Sequence, residues 1–435
     1  MTKAIATQLQ SIIGSNTKLV ELSPSDPDWH TCITQAISVG ETDIYVVFPE
    51  TVAELAQIVA LAAQENYPIL ICGNGSKLNW GKVATKINLV ISTQKCDRLI
   101  EYAVDDLTVT VEAGMKLADL QAQLLAHNQF LPIDPTYPDL ATIGGIVATA
   151  DTGSWRERYG GVRDLLLGLS FVRADGAIAK AGGRVVKNVA GYDLMKLFTG
   201  AYGTLGIITQ VTFRTYPLIP TSQTLLLTGA ADAIAQVSQS IRNSGLTPTA
   251  LDLLSIGVVK QLGLNNSYGL IVRWQTIPES IAQQVAQVKA IATQLNLDVS
   301  DYQAEAETDL WQQCATLTSI TKEDTAIACK LGIAPTAAIN FLQLKSIQDL
   351  SVAVRIHVSS GIGQLQLDSQ NDQIIEQMRT YCQQHQGFLT ILDAPKSLKQ
   401  QWDVWGYTGN ALSTMQKLKQ QFDPLNILNS DRFLV

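Results

Sequence analysis

Three glycine-bearing segments carry the residue types and spacing that could do chemistry in this chain. The first is Cys72-Gly73-Asn74-Gly75-Ser76, which directly follows the apolar run YPILIC. Gly73 and Gly75 can visit positive φ, Asn74 tolerates left-handed backbone better than most residues, and Ser76 adds a hydroxyl. Such a loop can turn its main-chain N–H groups inward as an anion nest, with no basic side chain required. A dinucleotide fingerprint of the GxGxxG kind would need glycine at position 78, where Leu78 stands. The second segment, Ala141-Thr142-Ile143-Gly144-Gly145 with Thr149 beyond, pairs glycines that let main chain lie flat against a ligand with threonines that can bond its oxygens. The third, GRVVKNVAGYDLMKLFTGAYGTLGIITQVTFRTYP from Gly183 to Pro217, sets five glycines before Ile208 among β-branched and apolar runs. Close backbone approach to a ligand is the physical use of such a pattern.

The elements that must hold these segments follow from periodicity. IYVVF reads as a strand, and Val52, Leu55, Ile58, Val59 and Ala62 form one helical stripe after Pro49. YPILIC, NLVIS and LTVTVEAG read as strands, Leu117 to His127 as an amphipathic helix, and LLLGLSFVRAD, GIITQV and TFRTY as further strands. After Pro220 the rhythm changes. TLLLTG, ADAIAQVSQSIRNSG, ALDLLS, YGLIVRW, ESIAQQVAQVKAIATQ and LDVSDY give the order β-α-β-β-α-β, and the order recurs from TAIACKLGI to GFLTILDA. The fold class expected is α+β, with residues 1–40 as an N-terminal helical segment and 41–220 as a ligand-binding domain. Residues 221–420 form a second domain of two ferredoxin-like units sharing one sheet, and 421–435 return to the first domain. One face of that sheet is expected to carry helices, the other to close over the first domain.

Composition excludes several classes. With 435 residues, 46% apolar and 16% charged, the chain can bury a large core. A net charge of −8 with 31 Lys plus Arg offers no basic stripe for nucleic acid. MTKAIATQLQSIIG lacks a sustained apolar core, and no run approaches the roughly 20 apolar residues of a membrane span, so a cytoplasmic location is expected, with any membrane association peripheral and through partners. The six cysteines, Cys32, Cys72, Cys96, Cys314, Cys329 and Cys382, form no CxxC pair, so neither an iron–sulfur cluster nor a metal site is expected.

Taken in order, the three segments resemble the flavin-binding domain of the FAD-linked oxidases related to vanillyl-alcohol oxidase. More narrowly, VVKNVAGYDLMKLFTGAYGTLGIIT resembles the smaller FAD-binding subunit of bacterial glycolate oxidase. The resemblance implies FAD as cofactor, held by Cys72, Gly73, Asn74, Gly75 and Ser76 at the pyrophosphate, and by Thr142, Gly144, Gly145 and Thr149 along the dinucleotide. Tyr192, Gly206 and Ile208 would lie in the third segment, where Lys187, Asn188 and Asp193 also match. FDPLNILNSDR, residues 422–432, resembles the closing F-D-P-x-x-I-x-N-P-G-R and adds Asn429, with Ser430 and Asp431 in place of Pro-Gly and a looser turn expected. Relatives that attach flavin covalently have histidine where Ser76 stands, which implies dissociable FAD.

Oxidising a 2-hydroxy acid needs a base for the hydroxyl proton and a cation for the carboxylate. The histidine motifs of the larger glycolate oxidase subunit and its D-lactate dehydrogenase relatives are absent. Of His30, His127, His357 and His385, the first precedes the flavin-binding domain, and the second and last end helices. Arg355 and His357 alternate onto one face of SVAVRIHVSSG and are the expected catalytic pair. A cross-strand polar pair is the alternative for them, and Arg156, Arg158 and Arg163 are further carboxylate-binding candidates. The resemblance implies a glycolate-type dehydrogenase working with a larger FAD-binding subunit and an iron–sulfur subunit. The alternatives are a non-catalytic FAD-binding accessory subunit or, less favoured, a sugar or aromatic alcohol oxidase.

Overall fold

The computed structural model describes residues 2–24, 27–38, 43–185, 191–319, 326–348, 352–367 and 372–434. The chain forms two compact units. The first comprises Met1–Gly153, Gly160–Leu218 and Gly409–Val435; the second comprises Ser154–Tyr159 and Ile219–Thr408. Both mix helices with sheets, as the α+β class requires. Among the described residues no helix is long and apolar enough to cross a membrane.

In the first unit, β1 (Lys18–Glu21), β2 (Tyr45–Phe48), β3 (Ile69–Cys72) and β4 (Leu89–Ser92) form a sheet of order β1-β2-β4-β3. β4 runs parallel to both β2 and β3, and these runs are apolar because both their faces are buried. Val47, Ile69 and Ile91 pack on the helix Val52–Glu65 through Leu55, Ile58, Val59 and Ala62. Val46, Leu70 and Val90 face the other way, onto Ile33 and Ile37. Thr51 caps that helix, accepting a hydrogen bond from the Glu54 amide, and Asn66 ends it in the left-handed region at φ 55°.

A second, antiparallel sheet has β5 (Leu99–Ala103), β6 (Thr108–Glu112), β8 (Leu166–Val172), β9 (Ile178–Gly182) and β10 (Ile207–Arg214) in the order β5-β6-β10-β8-β9. A short ladder of β7 (Gln129–Phe130) with β11 (Tyr216–Pro217) accompanies it. The runs GIITQV and TFRTY, expected as two strands, form one continuous β10 as far as Arg214. The helix Leu117–Leu125 buries Leu117, Leu120 and Leu124 against Val109, Val111, Val211 and Phe213. Ile143–Thr149 is a short helix capped by Thr142, not the flat main chain expected of paired glycines. Its Ile143, Ile146 and Val147 join the same core, and that burial outweighs the poor helix propensity of Gly144 and Gly145.

The second unit is built on β12 (Ser222–Gly229), β13 (Ala250–Leu254), β14 (Tyr268–Gln275), β15 (Asp298–Tyr302), β16 (Ile327–Gly332), β17 (Ala353–His357), β18 (Ile362–Leu367) and β19 (Phe388–Asp393). These eight strands form one antiparallel sheet, order β15-β12-β14-β13-β17-β18-β16-β19, in which β13 pairs with β17 to join the two halves. Helices do not cover one face only. Leu226, Leu254, Ile271 and Ala353 pack beneath Val258 and Val259 of the helix Ile256–Gln261 and Leu310 and Cys314 of the helix Ala304–Thr318. Leu225, Leu227 and Val272, which alternate to the opposite face, are equally buried.

Candidate functional site

The first unit contains a cleft of about 800 Å³, counting space open to solvent at its mouth, at the C-terminal end of β3. Cys72, Gly73, Asn74, Gly75 and Ser76 line it from the β3 loop, and Thr142, Gly144, Gly145 and Thr149 from the capped helix. Gly206 and Ile208 line it from the start of β10, and Asn429 from the C-terminal segment. Segments more than 350 residues apart in sequence therefore meet on one cavity.

The glycines are there because side chains would not fit. A Cβ on Gly73 would lie 2.1 Å from Thr142 Oγ1, one on Gly144 2.8 Å from Ala113 Cβ, and one on Gly206 3.0 Å from both Phe171 and Phe198. Gly75 holds φ at +76°. Ser92 Oγ donates to the Gly73 carbonyl at 2.7 Å, and Thr93 Oγ1 to the Cys72 carbonyl at 3.3 Å, which fixes the loop from the β4 side. The amides of Asn74, Gly75 and Ser76 donate to no acceptor among the described residues. Three unused donors on a loop with a left-handed glycine are the chemistry of an anion nest, and the cleft fits a phosphate-bearing cofactor on that ground.

The C-terminal segment ties the cleft together. Asn429 Oδ1 accepts from the Ile71 amide at 2.7 Å, while its Nδ2 donates to the Tyr202 carbonyl at 2.6 Å. Arg432 donates to the carbonyls of Ala36, Leu78, Trp80 and Lys82. The turn between them is not loose. Asp431 sits at φ 64° and is hydrogen-bonded to Thr85, and Ser430 bonds back to the Asn426 carbonyl. Side-chain bonds here do the work expected of Pro-Gly.

Several sequence expectations need correction. Tyr192 does not line the cleft and is 87% exposed, with Asp193 beside it also exposed. Lys187 and Asn188 lie outside the described residues. Thr149 does not offer its hydroxyl proton outward, because Oγ1 donates to the Gly145 carbonyl at 2.8 Å. Cys72 lines the cleft as a thiol, since burial pushes its pKa up. Two cations that line the cleft, Lys77 and Arg432, were not among the expected binding residues; Lys77 directly follows the glycine loop and was legible there.

Arg355 and His357 do share a face of β17, but within a buried polar network of the second unit. His357 Nδ1 lies 2.7 Å from Ser360 Oγ and 3.2 Å from the Ser360 amide nitrogen, and Nε2 stands 2.9 Å from Glu157 Oε2. Ser359 Oγ donates to the other Glu157 oxygen at 2.9 Å. Arg355 Nη2 donates to Gln364 Oε1 at 3.3 Å, and its Nε stands 4.0 Å from Asp252 Oδ2, which Ser154 also bonds. The pair thus lies among acidic and polar neighbours of the second unit, with Glu157 beside His357 and Asp252 near Arg355. Arg156 is half-buried, and Arg158 and Arg163 are exposed. His127 packs edge-on to Tyr102, and His385 stacks on Tyr381.

Residues 44–182, which include the β3 loop and the capped helix, match the family model of the FAD binding domain. The chain carries the FAD-binding domain of the FAD-linked oxidases. It is similar to glycolate oxidase subunit GlcD of Bacillus subtilis, 26% identical over 419 residues that cover 88% of this chain and 87% of that one. It is 32% identical over 209 residues to a D-lactate dehydrogenase of Archaeoglobus fulgidus, covering 48% of this chain and 47% of the relative. Over 165 residues it is 36% identical to glycolate oxidase subunit GlcE of Escherichia coli, covering 38% and 46%. The chain thus spans most of the first relative and about half of the other two. Among solved structures, alkyldihydroxyacetonephosphate synthase superposes with a TM-score of 0.73 at 16% identity, covering 99% of this chain and 85% of the other, a likeness of fold. The matched domain is an FAD-binding one, and the aligned relatives are named as glycolate oxidase subunits and a D-lactate dehydrogenase.

Proposed function

We propose that the protein is a dehydrogenase of small 2-hydroxy acids, of the glycolate type, which works beside a larger FAD-binding subunit and an iron–sulfur subunit. The observation that carries this reading is the cleft itself: three glycine segments and Asn429 converge on one cavity with unused amide donors, in a chain alignable over 419 residues with a glycolate oxidase subunit. In this reading Gly73, Asn74, Gly75 and Ser76 take the pyrophosphate of FAD through main-chain amides. Thr142, Gly144 and Gly145 support the dinucleotide beyond it, and Gly206 and Ile208 bring bare main chain to the flavin. Ser76 in place of histidine leaves the cofactor dissociable. FAD, when bound, supplies the acceptor for a hydride from Cα of the hydroxy acid.

A second reading is an FAD-bearing accessory subunit that relays electrons and oxidises nothing by itself. The acidic neighbours of the expected pair favour it, with Glu157 Oε2 2.9 Å from His357 Nε2 and Asp252 Oδ2 4.0 Å from Arg355 Nε, since each competes with a substrate for that group. Anaerobic titration of the FAD-loaded chain with glycolate and with D-lactate separates the two. Bleaching of the oxidised flavin band by either acid supports the first. A band that only dithionite bleaches supports the second and contradicts an independent substrate site.

A further inference from the structure

We infer that Lys77 is the cation that meets the pyrophosphate of FAD, so that the glycine loop is a nest with one buried charge behind it. The inference rests on the reading that Gly73 to Ser76 hold that pyrophosphate. Lys77 follows the loop directly and lines the same cleft. Its side chain is only 6% exposed, and Nζ lies 2.6 Å from Asp151 Oδ2 and 5.3 Å from the centre of the Trp80 ring. Among the described residues no acceptor takes a hydrogen bond of ordinary geometry from this ammonium. A buried ammonium has three donors to satisfy, and the single contact with Asp151 leaves at least two of them without an acceptor among the described residues, which is costly.

Asp151, by contrast, is well supplied without the lysine. The Thr136 amide donates to Oδ2 at 2.9 Å, and Thr136 Oγ1 to Oδ1 at 3.4 Å. The other cation on the cleft, Arg432, has donors committed to four main-chain carbonyls. Lys77 is therefore the cleft cation with hydrogen-bonding capacity in reserve. An anionic ligand beside the loop would use it, and a charge-assisted bond to phosphate is among the stronger contacts a protein makes.

A purely structural ion pair and a phosphate-binding lysine differ in sign, and that is what the experiment reads. The full chain, freed of FAD, is titrated with FAD, with ADP as a competitor and with riboflavin, which lacks the pyrophosphate. Four proteins are compared: the native chain, Lys77→Gln, Asp151→Asn and the double variant, which keeps the buried site neutral and guards against misfolding. Lys77→Gln and the double variant are expected to weaken FAD and ADP tenfold or more, with riboflavin unchanged within twofold. Asp151→Asn is expected to bind FAD as tightly as the native chain or more tightly. Equal weakening of FAD by both single variants, or a double variant with native affinity, would overturn the inference while leaving the loop reading intact. Failure of ADP to compete in the native chain would overturn the loop reading and the inference with it.

Discussion

Gly73→Ala is expected to cost the protein its cofactor while the chain still folds. The new Cβ would fall 2.1 Å from Thr142 Oγ1, 2.8 Å from its Cγ2 and 2.9 Å from its Cβ. No rotation of Thr142 relieves the last of these. Nor can the threonine retreat, because it caps the helix Ile143–Thr149, accepting from the Gly145 amide at 3.3 Å, and bridges Lys116. The strain therefore moves the β3 loop, whose amides line the cleft. Overpacking of this kind costs about 1–3 kcal/mol, and with that strain taken up by the loop FAD affinity falls by roughly fivefold to 160-fold. Fluorescence titration of FAD into the apoprotein measures it. Gly73→Ala combined with Thr142→Gly should regain part of the loss, and native affinity in Gly73→Ala alone would show that this contact does not shape the site.

The second large effect lies at the C-terminal buttress. Lys419 on the helix Leu412–Phe422 donates to Asp423 Oδ2 at 2.6 Å, to the Leu428 carbonyl at 2.9 Å and to the Thr204 carbonyl at 3.0 Å. Asp423 in turn accepts from the amides of Ile427 at 3.1 Å and Leu428 at 2.8 Å. Both side chains are buried, and burial draws the lysine pKa below its ordinary value. Every donor and acceptor has a partner, so removing one member leaves a buried charge alone. Asp423→Ala is expected to destabilise the first unit by about 3–5 kcal/mol, a large share of the 5–15 kcal/mol typical of a domain. Urea denaturation checks it. Lys419→Met together with Asp423→Leu should be less destabilising than Asp423→Ala, and a single variant with an unchanged midpoint would contradict the account.

The buttress explains why Asn429 and Arg432 stay in place although the usual Pro-Gly between them is missing. FDPLNILN was legible as a closing motif because its residues are contiguous. What replaces Pro-Gly was not, since Thr85 lies 346 residues from its partner Asp431. The same limit separates other successes from failures. Glycine loops announce themselves locally, through residues that alone tolerate the backbone or the close approach. The alternation that set Arg355 and His357 on one face was equally local and correct. Their partners Asp252 and Glu157, which decide what the pair can do, come from strands and turns far away in sequence.

Burial was the other hidden quantity. Tyr192 shares its motif with Gly206 yet projects into solvent, and nothing in GYDLMK distinguishes a tyrosine on a cofactor from one beside it. The helix Ala304–Thr318 escaped notice because its start, AEAETD, is polar and its inward residues Leu310 and Cys314 are few. It packs against Leu226, Leu254, Ile271 and Ala353 of the sheet, on the same face as the helix Ile256–Gln261. Lys77 was legible as a residue type, but an all-backbone nest gave no reason to look for a charge.

The central claim is that this chain holds one dissociable FAD in the cleft formed by its glycine segments and Asn429. Precipitating the purified full-length protein with trichloroacetic acid and counting flavin in both fractions tests it most directly. The account predicts a colourless pellet and a yellow supernatant with about one FAD per chain. A pellet that stays yellow would mean a covalent bond that Ser76 cannot make, and a chain that takes up no flavin even on reconstitution would contradict the site itself.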